Sequence, residues 1–196
     1  MTNSITIAAI DPSLTSTGVV VGTSPDDFSV TRHQSKPRGK RPAERLKRYE
    51  ELLSGIASIL DDSQPKLIVI EGYSYGSQQS GFTQAMITEF GGLLRWHLCE
   101  FTSRIAEVPP STLKKFVTGK GNCGKELMLK EVFRRWQYDT NNNDEADAYG
   151  LFRMGLVMSG QAEPETVPQA EAVAKVMESH SLTSDLIQTQ AAEAPF

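Results

Sequence analysis

The sequence predicts a mixed α/β fold, a five-stranded sheet flanked by helices, and three observations predict it. Three strand-like runs fill the first 34 positions, separated by turn-forming residues, which is the pattern of an antiparallel meander. A fourth run, Leu67–Glu71, is apolar up to its last residue, as expected for a central strand covered on both faces. Between and after these runs, apolar residues recur at helical spacing.

The elements follow in order. Strands are expected at Ile5–Asp11, Gly18–Thr23 and Phe28–Gln34, with Asp11-Pro12-Ser13 and Ser24-Pro25-Asp26-Asp27 as turns. Lys36–Pro42 reads as a basic loop. Leu46, Tyr49, Leu52, Leu53, Ile56 and Ile59 then predict a helix over Pro42–Leu60. Gly72–Gly81, rich in Gly, Ser, Gln and Tyr, reads as a loop after the fourth strand. A second long helix covers Phe82–Phe101, with Phe90, Leu93, Leu94 and Trp96 mainly core; Gly91-Gly92 would permit a close contact there, including one between subunits. Arg104–Val108 is a short fifth strand ending at Pro109-Pro110. Ser111 can N-cap a brief helix over Thr112–Val117. Helices over Lys125–Trp136 and Asp144–Met158 complete a domain spanning residues 1–158. Residues 159–196 read as an acidic tail, peripheral or partly disordered, with some helical potential in Glu171–Met177. This order of elements fits the ribonuclease H-like fold.

Composition narrows the class. At 196 residues, 39% hydrophobic and 22% charged, the chain has the make-up of a soluble globular protein. No apolar run reaches the ~20 residues that span a bilayer, and the polar start argues against a signal peptide. Two cysteines, Cys99 and Cys123, make no disulfide framework, and His33, His97 and His180 share no zinc-ligand spacing with them. A reducing cytoplasm is the expected location. The net charge of −4 is unevenly spread. Arg32–Arg48 holds eight basic residues against one glutamate, and Lys114–Arg135 holds seven against two acidic residues. Local potential attracts a polyanion, so an acidic total does not exclude DNA.

Four acidic residues carry the chemistry. Asp11 and Glu71 each close an apolar strand, where a carboxylate is badly desolvated unless a cation or donor meets it. Asp144 and Asp147 lie three apart at the head of a helix, hence on one face. Singly, each is an ordinary turn-former or helix-start acid. Gathered together, they would repel one another, and a hard divalent cation such as Mg²⁺ is the usual relief. An all-oxygen metal site points to phosphoryl transfer.

The same positions resemble the motifs of the RuvC family of Holliday junction resolvases. Ile10-Asp11-Pro12-Ser13-Leu14-Thr15-Ser16-Thr17-Gly18 is similar to the family's first motif, and Val69-Ile70-Glu71 to its second. Val108-Pro109-Pro110-Ser111 through Leu113-Lys114-Lys115, then Thr118-Gly119-Lys120-Gly121 and Lys125, resembles its basic third region. Asp144-Glu145-Ala146-Asp147-Ala148 is similar to its terminal acidic motif. The resemblance covers roughly residues 5–158. It implies a homodimeric endonuclease that nicks four-way junctions, and other branched DNA such as forks and flaps, leaving 5′-phosphate and 3′-hydroxyl ends. Asp11, Glu71, Asp144 and Asp147 would bind two Mg²⁺ or Mn²⁺ ions, and Lys114 and Lys125 would contact the phosphate near the cut. For DNA contact the candidates are Tyr73 and Tyr75 as wedges or stacking rings, Arg38, Lys40 and Arg41 of the basic loop, and Lys114, Lys115, Lys120 and Lys125.

Three departures, Ser13 for the family's usual glycine, Glu145 for alanine and the long acidic tail, suggest a divergent, phage-encoded member. The main alternative is a catalytically silent junction-binding protein. Intact acids at all four positions argue against it, since a pure binder gains nothing from carboxylates facing a phosphate. An actin-like ATPase would need two subdomains, which this length does not supply.

Overall fold

The computed structural model describes residues 4–73 and 81–179. Five strands, β1 (Ile7–Asp11), β2 (Ser16–Ser24), β3 (Asp27–Gln34), β4 (Leu67–Glu71) and β5 (Ile105–Val108), form one sheet in the order β3-β2-β1-β4-β5. The first three are an antiparallel meander, and β4 and β5 add in parallel beyond β1. The expected mixed sheet is thus present. β2 begins earlier than Gly18 because Ser16 and Thr17 already pair with Gln34 and His33. Buried Thr17 also closes the β1–β2 turn: its hydroxyl donates to the Ser13 carbonyl at 2.7 Å and accepts from the Ser13 N–H at 3.2 Å.

Strand side chains alternate, and the two faces bury different helices. Ala8, Ile10, Val19, Ile68 and Ile70 pack with Tyr49, Leu52 and Ile56 of α1 (Pro42–Ser63) and Phe90 and Leu94 of α2 (Gly81–Leu98). Ile7, Ala9, Val20, Leu67 and Val69 pack on the other side. Their partners are α3 (Pro110–Thr118), α4 (Lys125–Trp136) and α5 (Asn143–Met158), with Phe116, Val132, Tyr149 and Phe152 among the contacts. Two helix starts differ from expectation. Ser111 lies inside α3, whose N-cap is Pro109, and α5 is capped by Asn142 rather than by an acid. No helix among the described residues is long and apolar enough to cross a membrane.

The tail expected to be peripheral from residue 159 is, as far as residue 179, part of the packing. Residues 167–179 are helical, and Ala172, Val173 and Val176 are buried in the α5-side core. Gln161 ties the chain back to the sheet, donating to the carbonyls of Thr23 at 2.7 Å and Ile5 at 3.2 Å. Glu165 accepts from the Trp136 indole at 2.8 Å. Three small apolar residues within five positions gave too weak a pattern to read as core. Residues 180–196 lie outside the described residues. A chain ending at Gly160 uncovers this part of the core and is expected to lose about 2–4 kcal/mol, lowering the thermal midpoint by roughly 10 °C. An unchanged midpoint by calorimetry would mean that the helix contributes nothing to stability.

Candidate active site

The alternation that builds the core also aims the acids. Ile7 and Ala9 face α5, so Asp11, two residues on, does too; Leu67 and Val69 set Glu71 the same way. β1 and β4 are parallel neighbours with Ile10 opposite Ile70, which puts Asp11 and Glu71 side by side at the strand ends. The other two acids arrive on the first turns of α5, where the Asn142 side chain accepts from the Glu145 N–H at 3.0 Å. Gly18 lets them in: a Cβ there would sit 2.4 Å from the Asp144 carbonyl oxygen. At the far end of α5, a Cβ on Gly155 would meet Ile7 and Val69 at 2.8 and 3.0 Å. The helix backbone thus lies against the Gly18 backbone at one end and against the Ile7 and Val69 side chains at the other.

The electrostatics show the cost of this gathering. Burial lifts the Asp11 carboxyl well above its usual range, and the charges of Glu71, Asp147 and Asp144 lift it further. Burial, then the charge of Glu71, pushes Asp147 up to about 7. Glu71 is also raised by burial, offset in part by a hydrogen bond with the Asp11 carboxyl and by the charges of Lys114 and Lys125. Lys125 opens α4, where the helix dipole favours an anion, so helix stability does not account for a lysine there. Its charge and that of Lys114 act on Glu71 and Asp147 instead. Glu145 is turned away: it accepts from the Thr140 hydroxyl at 2.7 Å and lies 3.8 Å from Arg32.

The donor set suits a hard divalent cation: four carboxylates from three elements, with no sulfur or imidazole. Among the described residues, no three His, Cys, Asp or Glu side chains already converge on one point.

The other expected contact residues divide. Arg38, Lys40 and Arg41 are exposed on the loop leaving β3, although Arg38 pairs with Glu51 at 2.6 Å. Lys120 is exposed, and Lys115 pairs with Glu171 of the terminal helix at 2.6 Å. Tyr73 stacks on the Arg95 guanidinium at 4.1 Å, in the space a Gly91 side chain would need. Gly91 therefore serves a contact within the chain. Tyr75 lies outside the described residues. Sequence reasoning missed Arg95, which donates to the Glu71 carbonyl at 3.1 Å and pairs with Glu107. A cavity of about 680 Å³ between α1 and α2, lined by Leu46, Leu53, Leu93 and His97, belongs to the sheet's other face.

No protein-family model matches the chain. It is 30% identical over 110 residues to the crossover junction endodeoxyribonuclease RuvC of Synechococcus sp., an alignment covering 55% of the chain and 67% of that protein. The chain belongs to the RuvC family. The RuvC of Chlamydia trachomatis is 31% identical over 109 residues, covering 53% of the chain and 62% of that relative. Among solved structures, Thermus thermophilus RuvC matches with a TM-score of 0.56 at 17% identity, over 77% of the chain and 97% of that protein. The same RuvC in complex with a Holliday junction substrate matches at 0.54 and 16%, over 75% and 90%. At such identities the structural likeness shows the RuvC fold.

Because Asp147 has a folded pKa of about 7, well above its unfolded value near 3.8, the folded state binds the extra proton between those limits. The stability this gives is fully present below about pH 4 and is lost as pH rises through about 7. In EDTA, Asp147→Asn is expected to raise the thermal midpoint by about 5 °C near pH 8 and by much less near pH 5. A midpoint lowered equally at both pH values would contradict the assignment.

Proposed function

We propose that the chain is a divalent-metal-dependent endodeoxyribonuclease that resolves four-way junctions by paired, symmetric nicks, leaving 5′-phosphate and 3′-hydroxyl ends. The observation that carries this reading is that Asp11, Glu71, Asp144 and Asp147 lie near enough for their charges to raise one another, with Lys114 and Lys125 acting on the same group. The four carboxylates would hold two Mg²⁺ or Mn²⁺ ions, whose charge favours an attacking water and a leaving 3′-oxygen in an in-line displacement.

The chain's own residues do the rest. Lys114 and Lys125 offset the carboxylates and hold the scissile phosphate against them. Arg38, Lys40 and Arg41 leave the sheet at the end where Ser16 pairs with Gln34, close to the Asp11–Gly18 pair. They would track the strand backbone away from the cut, as Lys115 and Lys120 would on the α3 side. Two symmetric nicks need two sites related by a two-fold axis, so the acting species is a homodimer.

The test incubates the protein with matched four-way, forked, flapped and linear DNA in Mg²⁺ or EDTA. Paired, Mg²⁺-dependent nicks that ligase seals are expected in the four-way junction. Asp11→Asn should bind that junction normally and cut it at least about a thousandfold more slowly. Binding without cutting in Mg²⁺ or Mn²⁺ would indicate a silent junction-binding protein. Equal cutting of every branch would indicate a general debranching nuclease.

A further inference from the structure

Arg48 belongs by sequence to the basic stretch read as a phosphate-contacting face, and the structure removes it from that face. It is 4% exposed, and among the described residues no carboxylate lies within salt-bridge reach of it. Its guanidinium is spent on neutral acceptors instead. Nε donates to the Ser35 hydroxyl at 2.8 Å, and Nη2 donates to the Leu14 carbonyl and, at 3.4 Å, to the Ser35 carbonyl. Ser35 adds two bonds to the same place: its hydroxyl donates to the Leu14 carbonyl, and its N–H to the Thr15 carbonyl at 3.1 Å.

Two segments meet at this guanidinium. One is the turn directly after Asp11, already closed on itself by the Thr17–Ser13 bonds. The other is Ser35, which joins β3 to the basic loop. Arg48 sits one helical turn before Leu52 and about two before Ile56 on the buried ridge of α1, where an apolar residue would pack without burying a charge. Burial also pulls its pKa below the usual arginine value. The placement is costly for stability alone, and what it supplies is a planar fork bridging two backbone segments.

We propose that Arg48 is a positioning residue for DNA cleavage: its guanidinium fixes the turn that carries Asp11 to the root of the basic loop. DNA held by Arg38, Lys40 and Arg41 is thereby kept in register with the acidic site. This rests on the activity proposed above, and it gives Arg48 no contact with DNA.

Arg48→Met and Arg48→Lys test it. Met fills the same ridge position without polar groups, and Lys keeps the charge but replaces the planar fork with a compact ammonium on a flexible stem. For both, single-turnover cutting at saturating four-way junction should fall at least about tenfold, while junction affinity in EDTA stays within about twofold. The thermal midpoint of Arg48→Met should be unchanged or higher. Mn²⁺ affinity without DNA, read from the electron paramagnetic resonance of free Mn²⁺, should weaken about threefold or more. Ser35→Ala, which removes one hydroxyl, should shift rate and Mn²⁺ affinity the same way by less. Wild-type cutting in both arginine variants would overturn the proposal. So would junction affinity lost in step with rate, or a rate loss explained by the unfolded fraction with Mn²⁺ affinity intact. If the unaltered protein binds Mn²⁺ but cuts no branched DNA, the proposed activity fails and Mn²⁺ affinity alone decides the role of Arg48.

Discussion

The contact on which the site depends is the near-touching of α5 and the sheet. At Gly18 the gap to the Asp144 carbonyl admits no side chain, and at Gly155 none fits between the helix and Ile7 and Val69. Helix packing at ordinary distances is 8–10 Å between axes, set by side chains; removing the side chain at both ends draws the whole helix inward. Asp144 and Asp147 then reach the carboxylates that parallel pairing has set side by side on β1 and β4. Any larger residue at position 18 would push the head of α5, and two of the four acids, away from the other two.

Such closeness is unfavourable for the protein by itself. Asp11 is buried beside half-buried Glu71, whose charge raises the Asp11 and Asp147 carboxyls, and Asp147 titrates near neutrality. The α5-side core, with Phe116, Tyr149 and Phe152 fully buried, holds the arrangement in place. Lys114 and Lys125 relieve part of the repulsion without removing it. In the proposed metal-bound state a divalent cation would relieve the remainder, displacing the proton that Asp147 holds below about pH 7.

Much of this was legible in the sequence, for physical reasons. Leu67–Glu71 is apolar because both faces of β4 are covered, and its terminal acid stands out against that background. Asp144 and Asp147 share a face at helical spacing whatever lies around them. Alternation along β1 and β4 even fixes which side of the sheet Asp11 and Glu71 face. Arg48 was hidden because its partners are backbone carbonyls, which no sequence pattern records; the one signal was its place one turn before Leu52 on the α1 ridge. The terminal helix was hidden because Ala172, Val173 and Val176 are small and few, and the acidic residues around them read as solvated. Tyr73 looked like an exposed ring because its loop is polar, yet Arg95, over twenty residues on, provides the surface it packs against.

The central claim is that Asp147, its pKa pushed up to about 7 by burial and the charge of Glu71, carries a proton which a divalent ion displaces. Titration calorimetry of Mn²⁺ into the DNA-free protein near pH 6, in two buffers of different ionisation enthalpy, measures that displacement directly. The account predicts binding accompanied by release of about one proton or more per site, falling toward zero near pH 9 and reduced in Asp147→Asn. Binding that releases no proton near pH 6, or no Mn²⁺ binding at all, would contradict it.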